Sequence, residues 1–197
     1  MKVHLATNYS TGEECKEWLK KYLPPSWEYT DDKDRCDCFI SVMSREIIRK
    51  DFIMKRPCFN FHMGVLPEWK GTGIIPQIIA QGIDEFGITL HLIDETVDGG
   101  NIIDIWKIPV MPDDTGDILF ERACIVMKAI FEEWAVKLIL RNYWSMPQDK
   151  QPKIYKHKDM EKLKDVTPIV RALTFKGKES AYYFNSKGEK KYLNYYE

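Results

Sequence analysis

The chain has 197 residues, 44% of them hydrophobic, which suits one sizeable core or one domain with an appendage. Lys and Arg number 29 against 30 Asp and Glu, so the formal charge of −1 gives no global basic field of the kind that points to nucleic acid. No window approaches the ~18 apolar residues of a membrane span, and the start lacks a long apolar signal segment. The five cysteines include only a C-x-C pair, so they read as reduced thiols of a cytoplasmic protein rather than as a disulfide or zinc framework.

In chain order, 2–7 is a short apolar run expected as a buried strand. Ser10 and Glu13 fit the S-x-x-E capping box. Behind them Cys15, Trp18, Leu19 and Tyr22 recur at helical spacing until Pro24-Pro25 stops the helix. Strand followed by helix opens an α/β fold. The charged stretch 28–37 reads as a solvated connection, 38–43 as a second strand, 44–53 as a short helical or irregular turn, and 57–62 as a third strand. A helix is expected over 73–83, with Pro76 near its first turn, where a missing N–H does no harm.

Residues 87–94 alternate as a strand with Ile88, Leu90 and Leu92 on one face, and "ETVDGG" at 95–100 is turn chemistry. Another strand follows at 101–111, then a helix starting near Pro112. From Ile118 to Trp144 the charges form one stripe at helical period and the other side is broad and apolar, the pattern of a long helix laid on a sheet. After Pro147 the chain turns polar and lysine-rich, a linker or surface helix. The end alternates around "NSKGE" as a β-hairpin. We therefore expect a catalytic domain at 1–146, a linker at 147–166 and a hairpin appendage at 167–197.

Asn60 and His62 lie on alternate positions of an apolar segment, "FNFHMGVLPEWKGTG", and so share one side of a strand. Each of Asn60, His62 and Asp98 has an ordinary reading by itself: a loop tie, a hydrogen-bonded core histidine, a turn former. A parallel α/β sheet, however, binds ligands at its strand ends. If the ends of 57–62 and 87–94 are adjacent, the three residues converge.

These segments, with "GITLHLIDETVDGGNII" at 87–103, resemble the folate-dependent formyltransferases. That family includes glycinamide ribonucleotide, methionyl-tRNA and nucleotide-sugar N-formyltransferases. The match runs through Asn60, His62, Leu66, Pro67, Gly71, Gly87, Thr89, His91, Asp94, Glu95, Asp98 and Gly100, and spans 38 to about 112. The resemblance implies a Rossmann-like α/β fold, a mostly parallel sheet with flanking helices, its N-terminal half shortened by at least one βα unit.

It also implies formyl transfer from N10-formyltetrahydrofolate to an amine, with Asn60, His62 and Asp98 as catalytic residues and no metal. Asn60 and His62 would supply oxyanion donors, and His62 would take the amine's proton, with Asp98 orienting it. The pterin would sit between 44–48 and the 92–98 loop, with Arg45, Ile47, Ile93, Asp94, Glu95 and Asp98 as contacts. Met63-Gly64 departs from the family's Pro-Ser. The tail, "VRALTFKGKESAYYFNSKGEKKYL", resembles that of the sugar N-formyltransferases. The acceptor implied is a nucleotide-linked 4-amino-4,6-dideoxysugar, with Trp69, Lys70, Tyr182 and Tyr183 as candidates on its side. Apart from the resemblance, the exposed edge strands of the expected hairpin make pairing across a two-fold axis, and so a homodimer, an expectation. Glycinamide ribonucleotide, hydrolysis by water, and folate binding without catalysis are the alternatives. Nucleic acid and membrane partners are not expected.

Overall fold

A computed structural model of the chain describes residues 1–149, 153–156, 166–184 and 188–193. Its centre is a six-stranded sheet in the order β2-β1-β3-β4-β6-β7. The strands are β1 (Lys2–Ala6), β2 (Glu28–Tyr29), β3 (Cys38–Val42), β4 (Cys58–His62), β6 (Glu85–Leu92) and β7 (Ile102–Pro109). The first four of these run parallel, while β6 and β7 are antiparallel to their neighbours. The result is the mixed α/β architecture expected, with a mostly parallel centre.

The parallel strands read as continuous apolar runs because both faces are covered; every residue of β3 is buried. On one face, Val3, Leu5, Ile40, Val42, Phe59, Phe61, Ile88 and Leu90 meet α1 (Ser10–Tyr22) and α4 (Gly116–Ile139) in one large core. The Phe61 and Phe131 rings sit 5.5 Å apart there. On the other face a smaller cluster of Ala6, Cys36, Phe39 and Cys58 packs with Phe52 and Ile53 of α2 (Lys50–Ile53).

α4 is capped by Thr115, whose hydroxyl accepts from the Ile118 N–H. α1 does not use the Ser10–Glu13 capping box. It begins after Tyr9, with no side-chain cap, and Glu13 is engaged by Lys16 instead. The region 28–37 holds more than a connection, since β2 extends the sheet edge and a 3₁₀ turn covers Lys33–Arg35.

Shorter pieces complete the description. β5 (Lys70–Gly71) precedes α3 (Ile74–Ala80), all of whose residues are buried. β8 (Ile154–Tyr155) pairs parallel with β5, inside a stretch whose composition suggested a linker. α5 (Val166–Ala172) packs against α3, and the hairpin β9 (Tyr182–Phe184) with β10 (Lys190–Tyr192) follows. The tip of the expected hairpin turn (185–187) and most of the expected linker (150–152 and 157–165) lie outside the described residues. Among the described residues no helix is long and apolar enough to cross a membrane.

Candidate active site

Phe59 and Phe61 of β4 turn into the large core, so the alternation of the strand sends Asn60 and His62 to its opposite face. β6 repeats the pattern with Thr89 and His91 between Ile88 and Leu90. Antiparallel register sets His91 opposite Asn60 and Thr89 opposite His62. A bulge in β7 follows at once, where pairing steps from Leu90–Asp104 to His91–Ile102. Bulges of this kind re-aim neighbouring side chains.

The hydrogen bonds fix both imidazole tautomers. His91 Nδ1–H donates to the Leu92 carbonyl (2.7 Å), so its Nε2 lone pair accepts from Asn60 Nδ2–H (3.0 Å). His62 Nε2–H donates to the Trp69 carbonyl (2.7 Å), which leaves Nδ1 facing the Asp98 carboxylate at 3.6 Å. Asp98 Oδ2 also accepts from the Gly71 N–H (2.8 Å), and Oδ1 lies 3.7 Å from His91 Nε2. The turn carrying Trp69 is held by Thr89, whose hydroxyl donates to the Gly64 carbonyl (2.7 Å) and accepts from the Leu66 N–H (3.1 Å).

The convergence of Asn60, His62 and Asp98 has a different cause from the one the sequence suggests. Because β6 is antiparallel to β4, its C-terminal end at Leu92 lies beside Phe59, not beside His62. The loop 93–101 folds back over the sheet to return Asp98 to His62. Asp98 adopts φ +48° to do so, a left-handed conformation that Asp tolerates better than most residues.

A cavity of about 760 Å³ opens at the C-terminal ends of β3 and β4. Asn60, His62 and Asp98 line it, and so do Arg45 and Ile47. The 44–47 loop is tied to the β1–α1 corner by the Arg45 N–H to Asn8 Oδ1 (2.7 Å) and by Arg45 Nη2–H to the Tyr9 hydroxyl (3.3 Å). Ile47 and Val97 are 89% and 53% exposed at its rim, apolar lips suited to a flat ring system. Tyr9, Phe120 and Phe175 form an aromatic wall, with centroid separations of 6.0 and 6.4 Å.

The other residues singled out in the sequence sit elsewhere. Ile93 packs in the smaller core cluster, Asp94 Oδ1 accepts from Thr96 within the loop, and Glu95 pairs with Lys50. The Trp69 ring stacks on Tyr155 at 4.7 Å and Lys70 is buried in β5. Tyr182 carries Lys190 over its ring at 3.7 Å, away from the cavity lining. Conversely, sequence reasoning assigned no role to His91, the Trp69 carbonyl or the Gly71 N–H. His91 was legible as the i+2 partner of Thr89; the two backbone groups leave no side-chain signal.

Burial holds the His91 pKa down, to about 4, with the neighbouring His62 pushing the same way and Asp98 opposing. A neutral His91 is what the Asn60 bond requires. In the unfolded chain this histidine takes a proton near 6.5; folded, it takes one only near 4. Between these values the unfolded state holds the extra proton, so acid costs stability by about 1.4 kcal/mol per pH unit. Urea midpoints at pH 7 and pH 5 should show the wild type losing about 2 kcal/mol more than a His91→Gln variant. Equal losses would place the charge-sensitive burial elsewhere.

Comparison with known proteins adds the following. The family model described as formyl transferase matches residues 31–132. The methionyl-tRNA formyltransferase of Sulfurimonas denitrificans is 31% identical over 87 residues, covering 44% of this chain and 29% of the relative. The chain thus spans less than a third of that relative's length. A sugar N-formyltransferase from Shewanella superposes with a TM-score of 0.84 at 16% identity, covering 98% of this chain and 96% of the other. A formyltransferase from Anoxybacillus kamchatkensis, solved with a UDP-linked 4-formamido sugar and tetrahydrofolate, superposes with a TM-score of 0.70 at 24% identity, covering 82% and 89%.

Proposed function

This chain belongs to the formyl transferase family, and on that footing we propose that it moves a formyl group from N10-formyltetrahydrofolate to the amine of a nucleotide-linked 4-amino-4,6-dideoxysugar. The observation that carries the reading is the set of Asn60, His62 and Asp98 on the wall of one cavity, with the buried His91 behind Asn60 and Asp98. The folate supplies the formyl group, its ring system lying between the 44–47 loop and Val97–Asp98. Negative charge develops on the formyl oxygen as the amine attacks. Asn60 meets it with the amide hydrogen not committed to His91, a preorganised donor whose removal from such a site costs about 10²–10³ in rate.

His62 Nδ1 takes the proton that the amine gives up and returns it to the folate nitrogen as that nitrogen leaves. Asp98 stabilises the imidazolium in between. The Trp69 carbonyl matters here because it occupies Nε2 and so keeps Nδ1 free for the proton.

The aromatic wall supports the nucleotide-sugar side of the reading. Tyr9, Phe120 and Phe175 offer π-faces to a base, and Arg45 and Lys178 offer positive charge to a diphosphate. Stacking on such rings contributes about 1–3 kcal/mol per base. A Phe175→Leu variant, which keeps apolar volume, should therefore raise the nucleotide-sugar KM about tenfold while leaving the folate KM within twofold. The solved neighbour named as a sugar N-formyltransferase supports the same acceptor class.

The test is a spectrophotometric assay of tetrahydrofolate formation from N10-formyltetrahydrofolate. It is run without acceptor, then with dTDP-, GDP- and UDP-linked 4-amino sugars, glycinamide ribonucleotide and charged initiator tRNA. Turnover confined to a nucleotide sugar is expected. Turnover with no acceptor, or with tRNA or glycinamide ribonucleotide alone, overturns the proposed acceptor.

A further inference from the structure

We propose that Gln148, outside the region matched by the family model, is a positioning residue for Asp98; this rests on the reading of Asp98 just given. After α4 the chain returns to the sheet, where Met146 makes an antiparallel bridge to Ile102, their N–H groups and carbonyls exchanging bonds of 2.7 and 2.8 Å. That bridge sets Gln148 against the loop 93–101. Its Nε2 group donates to the Asp98 carbonyl at 3.0 Å and to the Gly100 carbonyl at 2.6 Å. Both hydrogens of one side-chain amide are thereby spent on the two carbonyls that flank Gly99.

The loop needs an external tie. Asp98 has positive φ, and Gly100 passes so close to the Leu92 carbonyl that a Cβ would sit 2.0 Å from that oxygen. A conformation of this kind persists only where its surroundings over-determine it.

The same stretch of chain also governs the carboxylate end of Asp98. The Gly71 N–H that donates to Oδ2 belongs to β5, and β5 is held by β8, with Gly71 paired to Tyr155 and the Thr72 N–H donating to the Tyr155 carbonyl at 3.1 Å. Gln148 fixes the backbone of Asp98 and β8 fixes the group its side chain binds. The two anchors lie seven residues apart in sequence and on opposite ends of one aspartate.

Two variants test this in the full chain. Gln148→Leu removes the donors; Gln148→Glu keeps the size but turns acceptors toward two carbonyls. In the tetrahydrofolate assay, with the nucleotide sugar that gives turnover, both should lower kcat and kcat/KM together by about 30- to 100-fold, the scale of an ångström-size misplacement. Neither KM should move more than twofold. Amide hydrogen exchange at Gly71 should speed at least tenfold while exchange in β4 and β6 stays as in the wild type.

The exchange readout does not depend on catalysis, so it stands whether or not the proposed reaction does. If Asp98→Asn disables the enzyme while both Gln148 variants keep wild-type kcat, the positioning role is overturned and the reading of Asp98 survives. If Asp98→Asn is fully active, that reading fails first. Unchanged exchange at Gly71 in both Gln148 variants also overturns the positioning role.

Discussion

An Asp98→Asn variant should turn over about 10²–10⁴-fold more slowly than the wild type while melting within a few degrees of it. Asparagine is close in size and keeps one oxygen to accept the Gly71 N–H, which is the structural bond Asp98 makes through its side chain. What it loses is the charge. His62 Nδ1 faces that charge at 3.6 Å, and the imidazolium formed when the amine gives up its proton would face a neutral amide instead. The partly buried setting makes the loss large, because the effective dielectric there is well below that of water. His62→Gln should match it, and the double variant should be little worse than either single one, since the two act on one proton. Single-turnover rates and thermal melts on the three variants decide the matter. A near-wild-type rate in Asp98→Asn would mean that His62 is never charged on the reaction path.

How much of this was legible in the sequence depends on the range of the interaction. Asn60 and His62 could be assigned to one face because the two-residue period of a strand is local. The long α4 helix announced itself by a charge stripe for the same reason. Asp98 could be named but not placed, since its approach to His62 depends on antiparallel pairing and on a loop that doubles back. His91 becomes a partner of Asn60 only through strand register, a relation between residues 31 apart in sequence. β8 was read as linker because a two-residue strand is too short to show a period. The Ser10–Glu13 box failed for a local reason: the helix starts one residue earlier than the box requires, with Tyr9 at the cap. At Trp69 and Gly71 the backbone acts, and the identity of a side chain says nothing about a carbonyl or an N–H.

Gly64→Ala should be the most damaging small substitution in the site, with kcat down about 100-fold and stability down by about 1–3 kcal/mol. An alanine Cβ would sit 2.5 Å from the Trp69 carbonyl oxygen and 2.7 Å from His62 Nε2, the two atoms that bond each other. Neither can yield cheaply. The Trp69 N–H is bound to the Val65 carbonyl at 2.9 Å, and Thr89 grips the Gly64 carbonyl and the Leu66 N–H from β6. The methyl group must therefore drive the imidazole off the carbonyl, which loses the tautomer and the aim of Nδ1 in one step. This gives the Met63-Gly64 departure from the family's Pro-Ser a physical meaning: the turn closes so tightly on His62 that position 64 has no room for a side chain. Loosening the grip should soften the damage. With Thr89→Val in the same chain, which removes both hydroxyl bonds, the turn can back away from the new methyl. The double variant should then lose less activity than the product of the single losses, by at least fivefold in a double-mutant cycle. Strict additivity would show that Thr89 does not hold the turn against His62. Wild-type turnover in Gly64→Ala would show that the Trp69 carbonyl does not aim the imidazole at all.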